Sequence, residues 1–173
     1  MNARLSIPLA LLTLTGCSGP YFEASDPRHN TCIAAGATAD ELLAEAFDAI
    51  EAAGYSLEIR SGAYGGETDT VRQNVWVGDG ATPDRMAATA WHEYVHVLQS
   101  RDTDLMALAA PRGSGYRWSV EVQGLRQNAI VFRALGWDTP EVDGTVSDII
   151  DEYGWDADRS EDARILALNQ GCK

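Results

Sequence analysis

One stretch decides the fold of this chain, residues 82–101, with the sequence TPDRMAATAWHEYVHVLQSR. Thr82 is a typical N-cap residue and Pro83 suits the first helical position, so a helix is predicted from Pro83 to the end of the stretch. Apolar side chains cover most of the surface of this helix, which indicates that it is buried. Two of the three histidines of the protein, His92 and His96, lie in its middle.

The spacing of these histidines predicts a metal site. Residues four apart share one helix face and lie about 6 Å apart, so both imidazoles can bind one ion, and Zn²⁺ accepts histidine nitrogen. Glu93 lies about 100° further round the helix. From there it is poorly placed as a third ligand, but it can reach a water molecule at the same ion. A metal that lowers the pKa of water, beside a carboxylate that takes the proton, is typical of zinc hydrolases.

The five residues from His92 to His96 resemble the HExxH active-site helix of the zincin metallopeptidases. With the residues that follow, they are similar to small prokaryotic members of the gluzincin branch, and the resemblance spans about residues 72–135. It implies Zn²⁺ held by His92, His96 and a glutamate of the next helix, which matches Glu121. It further implies Glu93 as the general base and a peptide or protein substrate.

One departure from the gluzincin pattern concerns the residues that orient the ligands. Thermolysin-like members have an aspartate four residues after the third ligand, and that position here is Leu125. Gln123 or Asn128 is the alternative orienting residue that the sequence offers.

A second departure concerns the third ligand itself. Asp102 lies ten residues after His92, where metzincin-like enzymes place that ligand. Those enzymes need a glycine three residues after the second histidine, whereas the position here is Gln99, a good helix former. Glu121 is therefore preferred to Asp102.

A hydrolase of this kind also needs a donor that stabilises the developing oxyanion. The sequence offers four candidates without choosing between them: Tyr116, Arg117, Tyr153 and His29. His29 falls in a segment predicted to be a linker, which argues against it.

The remaining pattern predicts a single α+β domain. A helix capped by Thr38 is expected over Ala39–Ala53. Strands are expected over Tyr55–Arg60 and Val71–Gly78, with a loop over 61–70 between them. Further helices are expected over Trp118–Leu135, near 145–153 and near 160–170. This order predicts an α+β domain with a small sheet packed beside the helices and a mainly helical C-terminal half. The resemblance to zincins further implies a zincin-like domain in which the sheet packs against the active-site helix. The strand at 71–78 is expected to be an edge strand above the cleft, to which an extended peptide can add, or a purely structural strand.

The N-terminal residues predict export. An apolar stretch that is too short to span a bilayer leads to Leu14-Thr15-Gly16-Cys17, which resembles the lipobox of bacterial lipoproteins. The resemblance implies a signal peptide over 1–17, lipid attachment at Cys17, and a lipid-anchored protein of the cell envelope whose only membrane contact is the anchor; Ser18 favours the outer membrane. An ordinary signal peptide is the alternative. Residues 18–31 are expected to be a tether and residues 32–173 the metallopeptidase domain.

The other two cysteines are Cys32 and Cys172. In an oxidising compartment they are expected to form a disulfide that joins the two ends of the domain, and two free thiols are the alternative.

Composition narrows the function further. The net charge is −13 with a sequence pI of about 4.4, which disfavours binding to nucleic acid and to anionic lipid headgroups. Three interpretations remain open. The first is a zinc metallopeptidase. The second is a zinc-stabilised envelope lipoprotein without activity, acting as a binding or assembly module. The third is a metal-free envelope protein in which the histidine motif is accidental.

Overall fold

The computed structural model describes residues 28–102 and 114–168, with residues 114–117 described by their backbone alone. Within these ranges a small three-stranded mixed sheet and five helices form one α+β domain, which confirms the predicted fold class. The elements are α1 (Ala39–Ala52), β1 (Ser56–Arg60), β2 (Gly66–Asp69), β3 (Asn74–Gly78), α2 (Pro83–Arg101), α3 (Ser114–Ala134), α4 (Thr139–Glu152) and α5 (Ala157–Leu168).

Several predictions fall outside the described residues. They are the signal peptide with Cys17, the tether up to residue 27, and Cys172. Cys32 is disulfide-bonded, and its pairing with Cys172 stays a prediction. None of the helices within the described ranges has the length and apolarity that crossing a bilayer requires.

Helix α2 forms the centre of the domain. It packs against α1 on one side and α3 on another, and the sheet covers a third side. Thr82 caps its N-terminus, since the side-chain oxygen accepts from the backbone N–H of Arg85. Trp91 on α2 donates its indole N–H to the carbonyl of Leu42 on α1 over 2.9 Å. Burial on most sides, as the apolar sequence of α2 predicts, holds the histidine face in a fixed position.

The sheet has the order β1-β3-β2, with β1 parallel and β2 antiparallel to β3. The expectation that β3 is an edge strand is therefore wrong. Its two valines, Val75 and Val77, are fully buried, and a strand with that apolar content gains most from having neighbours on both sides. The strand along the cleft is β2, which lies in the predicted loop 61–70 and packs against α2.

Helix α4 begins earlier than the sequence pattern suggested. Asp138 caps it in a reciprocal capping box with Glu141, and Pro140 lies in its first turn. Its burial pattern places Val142, Val146 and Ile150 in the core. Helices α4 and α5 both pack against α3 and so complete the helical C-terminal half.

Residues 28–31, which the sequence assigned to the end of the tether, are part of the folded domain. His29 is buried, and Asn30 donates from Nδ2 to the carbonyl of Gln123 on α3 over 2.8 Å. The backbone N–H of Thr31 donates to Gln127 Oε1 over 2.8 Å, and Gln127 Nε2 donates back to the carbonyl of Thr31 over 3.0 Å. The turn-forming composition of this segment did not predict these contacts, because they depend on polar side chains of a helix that is distant in sequence.

Candidate metal centre

The two histidines of α2 turn the same ring nitrogen toward one point. His92 and His96 stand one helical turn apart, and their Nε2 atoms lie 3.1 Å from each other. His92 is buried and His96 half-buried. This is the arrangement that the i, i+4 spacing predicts.

The third side chain comes from α3. Glu121 Oε2 lies 3.4 Å from Nε2 of His92 and 3.4 Å from Nε2 of His96. The structure therefore brings Glu121 to the two histidines, and the three residues form a cluster that could hold a metal ion.

The spacing of these three atoms fits a tetrahedral zinc site. Zinc bonds to nitrogen and oxygen of about 2.0–2.1 Å place neighbouring ligand atoms about 3.3 Å apart. The observed separations are 3.1, 3.4 and 3.4 Å. Two imidazoles and one carboxylate are also a ligand set found in catalytic zinc sites, where a fourth position is left for water or substrate.

Gly124 allows α3 to approach α2 closely enough to form the cluster. A Cβ atom built at this position would lie 2.4 Å from both Cε1 and Nε2 of His92. Such a contact is far shorter than van der Waals separation, so only glycine fits here without a shift of the His92 ring or of one helix. Gly124 follows Glu121 by one helical turn, and the close approach occurs beside the ligand itself.

Gln99 orients His96. The side-chain oxygen Oε1 of Gln99 lies 2.7 Å from Nδ1 of His96, while its Nε2 donates to the carbonyl of Val120 over 3.1 Å. Because a backbone carbonyl can only accept, the amide of Gln99 must present its oxygen to His96. In its neutral form, His96 therefore carries its proton on Nδ1 and offers the lone pair of Nε2 to a cation, as partners of histidine ligands commonly ensure.

In the absence of a metal, His96 and Glu121 strongly shift each other's pKa. Burial works against the protonated imidazole of His96, but the hydrogen bond and the charge of Glu121 outweigh burial and raise the pKa of His96 to about 9. Burial likewise works against the ionised form of Glu121, yet hydrogen bonds from His92 and His96 outweigh it and hold the pKa of Glu121 far below its usual range. The carboxylate is thus ready to bind a cation, and a metal has to replace a proton on His96.

Glu93 lies in the same cleft and outside the ligand cluster. It is buried, and its Oε2 accepts a hydrogen bond from the Thr68 hydroxyl over 2.8 Å; the same hydroxyl lies 3.1 Å from the backbone carbonyl of Glu93. Thr68 belongs to β2, so the sheet edge and the helix together set the position of this carboxylate.

A cavity of about 530 Å³ opens over the cluster. Its lining includes all three cluster residues, Glu93, Tyr153 and residues of β2. The hydroxyl of Tyr153, at the end of α4, donates to Glu121 Oε2 over 2.8 Å. Among the four predicted oxyanion candidates, Tyr153 is the one that the structure places at the cluster; the side chains of Tyr116 and Arg117 lie outside the described residues.

Asp102 and His29 contact each other and are not members of the cluster. Helix α2 continues without a break to Arg101, so Asp102 is its C-cap residue and does not turn back toward the histidines. Its Oδ2 instead lies 3.2 Å from His29 Nε2 and 3.3 Å from an Arg28 guanidinium nitrogen. The structure therefore supports Glu121 over Asp102 beside the imidazoles and removes His29 from the oxyanion candidates.

Gln123 and Asn128, the two residues predicted to orient the metal ligands, have different hydrogen bonds. Gln123 Oε1 accepts from Gln99 Nε2 over 2.9 Å, so Gln123 reaches His96 through Gln99. Asn128 is buried, and its Oδ1 has no hydrogen-bond partner among the described residues. Leu125, at the position where thermolysin-like enzymes have an aspartate, is fully buried in the core.

Sequence reasoning missed Gln99 and Thr68 as residues of the site. A signal for Gln99 existed, since it lies three residues after His96 on the same helix face. No such signal existed for Thr68, because β2 lacks the apolar alternation of a typical strand. A scan of family models, a search of curated proteins and a search of solved structures each found no match to this chain.

Proposed function

We propose that this protein is a zinc-dependent metallopeptidase with a zincin-like active site of the gluzincin type. The observation that carries the proposal is the triangle of His92 Nε2, His96 Nε2 and Glu121 Oε2, with the edges expected of a tetrahedral zinc site. The cluster lies at a cleft that also contains Glu93, a carboxylate outside the ligand set.

The proposed chemistry divides between the metal and the protein. Zinc held by His92, His96 and Glu121 would supply a Lewis acid that polarises a carbonyl and lowers the pKa of water. Glu93 accepts the proton of the attacking water and later passes it to the leaving amine. The Thr68 hydroxyl holds the Glu93 carboxylate, which limits its freedom to turn away from the cleft. Tyr153 is the proposed donor to the developing oxyanion. Its hydroxyl has a single proton, so it must release its hydrogen bond to Glu121 at that step.

A peptide substrate is favoured by the sheet. Strand β2 pairs with β3 on one side, and no strand within the described ranges pairs with its other side. Gly66, Glu67 and Thr68 of β2 line the cleft. An extended peptide can therefore add to β2 through main-chain hydrogen bonds, which gives affinity independent of sequence. This role passes to β2 from β3, to which the sequence had assigned it.

The location of the enzyme is also a proposal. The lipobox-like residues before Cys17 support export to the bacterial cell envelope and a lipid anchor, and Ser18 supports the outer membrane. The net charge of −13 disfavours adhesion of the domain itself to anionic lipid. The anchor would then be the only contact with the membrane. The substrate would be a protein or peptide near the membrane surface.

The first test is the substitution Glu93→Gln. It removes the proton acceptor and keeps a side chain of the same size, so we expect stoichiometric zinc to remain and hydrolysis to fall about 10²–10⁴-fold. Metal content is measured on the purified protein and hydrolysis with a peptide library analysed by mass spectrometry. Glu45→Gln, an exposed position on α1, is the control and should leave both unchanged.

Two outcomes contradict the proposal. A Glu93→Gln variant that cleaves peptides as fast as the wild type would show that another group activates water. A wild-type protein that holds zinc with four protein ligands and cleaves nothing would instead favour the zinc-stabilised envelope lipoprotein that acts as a binding or assembly module.

A further inference from the structure

A second cavity adjoins the metal cleft and extends toward helix α4. It has a volume of about 380 Å³ and shares Gly66, His92, Glu93 and Tyr153 with the cleft. Gly66 belongs to β2, along which the substrate peptide is proposed to bind. A peptide in that position can therefore place the side chain of a residue next to the scissile bond in the second cavity.

The floor of the second cavity is the groove between α2 and α3. His92 faces Gly124 across this groove. Ala88 lies one helical turn before His92, and Asn128 lies one turn after Gly124, about 6 Å further along α3. Ala88, Asn128 and Phe132 all line the cavity. The floor thus begins at a histidine of the metal cluster and leads away from it.

The lining of the cavity suits a large, uncharged, aromatic side chain. Three aromatic and three smaller apolar residues contribute to it: Tyr64, Phe132, Tyr153, Ala81, Ala88 and Ile149. The charged residues of the described lining are Glu93, which the proposed mechanism uses, and Arg85 and Glu152, which are exposed and opposite in sign. A charged side chain on the cavity floor would therefore lose water without gaining a buried partner of its own.

Asn128 is the polar exception on this floor. It is only 4% exposed, and its Oδ1 has no hydrogen-bond partner among the described residues. A buried amide oxygen without a partner destabilises the fold, whereas an apolar side chain of similar size does not. An orphaned polar group in a cavity wall is explained if the ligand of that cavity supplies the missing hydrogen bond. A phenol hydroxyl both donates and accepts, so it can pair with either end of the amide as the amide turns about its last single bond.

We propose that Asn128 selects a tyrosine side chain next to the scissile bond by a hydrogen bond to the phenol hydroxyl inside the second cavity. The inference rests on the proposed function, since it takes the ligand to be a residue of the peptide that binds along β2. The hydrogen bond itself requires neither metal nor hydrolysis. Phenylalanine fills the same space but leaves the amide unpaired, and a buried polar group left unpaired is what discriminates against the wrong side chain.

Two small molecules that represent these side chains test the hydrogen bond directly. They are p-cresol for tyrosine and toluene for phenylalanine, and ¹H–¹⁵N NMR titration of the purified protein gives their dissociation constants, with the side-chain amide of Asn128 and the backbone N–H of Ala88 as reporters. A cavity that offers only apolar contact prefers toluene, because p-cresol has to give up the hydration of its hydroxyl.

We expect the wild type to bind p-cresol about three- to tenfold more tightly than toluene, as one net hydrogen bond provides. The Asn128 amide signal should shift with p-cresol and much less with toluene. A wild type that binds toluene as tightly as p-cresol, or binds neither of them at these reporters, overturns the proposal.

The substitution Asn128→Leu removes the amide and keeps a side chain of similar size. We expect the Tm to be unchanged or higher, and p-cresol to lose its advantage over toluene. Ile149→Ala in the apolar wall is the matched control, because it should weaken both molecules alike and leave the ratio of their dissociation constants unchanged. A preference for p-cresol that survives in Asn128→Leu overturns the proposal. So does a large fall in Tm, which would show that the amide serves the fold.

Peptide substrates extend the comparison to the enzyme. Two peptides that differ only by tyrosine or phenylalanine beside the scissile bond should differ about three- to tenfold in kcat/KM with the wild type, and not with Asn128→Leu. A wild type that cleaves neither peptide rejects the proposed function, whereas the titration with p-cresol and toluene still decides whether Asn128 binds a phenol hydroxyl. The failure of one proposal is thus distinguishable from the failure of the other.

Discussion

Tyr153 supports the ligand Glu121 from a different helix. Its hydroxyl donates to Glu121 Oε2 over 2.8 Å, and its ring stacks on Trp155 with centroids 4.6 Å apart and planes inclined by 9°. The stacked ring holds the hydroxyl in place, so the carboxylate meets a fixed donor. Partners of this kind strengthen a metal site by orienting its ligands before the metal arrives.

Substituting Tyr153→Phe removes the hydroxyl and keeps the stacked ring. We expect zinc affinity to fall about tenfold, because Glu121 loses the donor that orients it. Tyr55→Phe is the matched control, since the Tyr55 hydroxyl bonds Ser100 Oγ over 2.7 Å outside the ligand cluster. That change should lower the free energy of unfolding by about 0.5–1.5 kcal/mol and leave zinc affinity unchanged. Chelator competition and thermal unfolding measure the two quantities, and equal zinc affinities of the two variants would contradict the assignment of Tyr153.

At the scale of single residues, the sequence predicted the three cluster residues better than the side chains that contact them. The four-residue spacing of His92 and His96 specifies a shared helix face, and a resemblance pointed to Glu121. Gln99 was interpreted only as a helix former, and Tyr153 was one of four candidates. A partner such as Tyr153 is set by how a distant helix packs, and no local spacing encodes that contact.

At the scale of helices and strands, the site depends on the close approach of α2 and α3. Glu121 reaches the two histidines because α3 lies near enough to α2 that a Cβ at Gly124 would meet the His92 ring at 2.4 Å. The separation of these helices therefore determines the separation of ligand atoms. Small shifts matter here, since a zinc site tolerates only small departures from its ligand distances.

Gly124→Ala should displace the His92 ring or push the helices apart, and either change damages the site. Overpacking of this kind costs about 1–3 kcal/mol of stability, and we expect zinc affinity to fall with it. Gly144→Ala on α4 is the control, because a Cβ there meets nothing within 4 Å. This exposed helical glycine should instead gain about 0.5–1 kcal/mol when replaced. Thermal unfolding and zinc titration of both variants measure the effects, and an unchanged zinc affinity of Gly124→Ala would be the contrary result.

Helices were more predictable than strands in this chain. Thr82-Pro83 and Thr38 with Glu41 are local start signals, and the helices they begin were predicted closely. Strand β2 was missed because its four residues, Gly66–Asp69, include no apolar side chain. Its extended form comes from hydrogen bonds to β3 and contact with α2, which are long-range contacts. The same missing information made β3 look like an edge.

At the scale of the whole molecule, the charge of the cluster links metal binding to stability. The pKa of His96 is raised from 6.5 to about 9 without metal, so its contribution to stability is complete below pH 6.5 and is lost as the pH rises through about 9. The pKa of Glu121 is lowered, so its contribution is present above pH 4.5 and is lost only in acid. A zinc ion bound as proposed would have to replace the proton on His96, and proton competition would therefore weaken as the pH rises.

The stabilisation by zinc should accordingly grow between pH 6 and pH 9. The measurement is the difference in Tm between protein in a buffer of fixed free zinc and protein in excess chelator. In Glu121→Gln the carboxylate that raises the pKa of His96 is absent, so the rise with pH should be smaller and complete at lower pH. A zinc effect that shrinks as the pH rises would contradict this account of the cluster.

The domain has the predicted α+β class, but its folded part includes residues before 32, where the sequence placed its start. The α+β architecture came from counting elements, which needs only local patterns. Residues 28–31 were assigned to a tether because their composition favours turns, yet His29 and Asn30 bind Gln123 of α3. Polar residues that satisfy a buried polar network resemble linker residues in sequence, since composition does not distinguish the two.

The tight fit at Gly124 has a consequence for how relatives of this chain can be recognised. A five-residue histidine motif alone is short enough to recur by chance in unrelated proteins. Here the same site also demands a Glu-x-x-Gly pair at residues 121 and 124, because the ligand and the gap for the imidazole must face α2 together. We expect a search signature that joins both motifs to separate chains that share the geometry of this cluster from chains that share only the histidine motif.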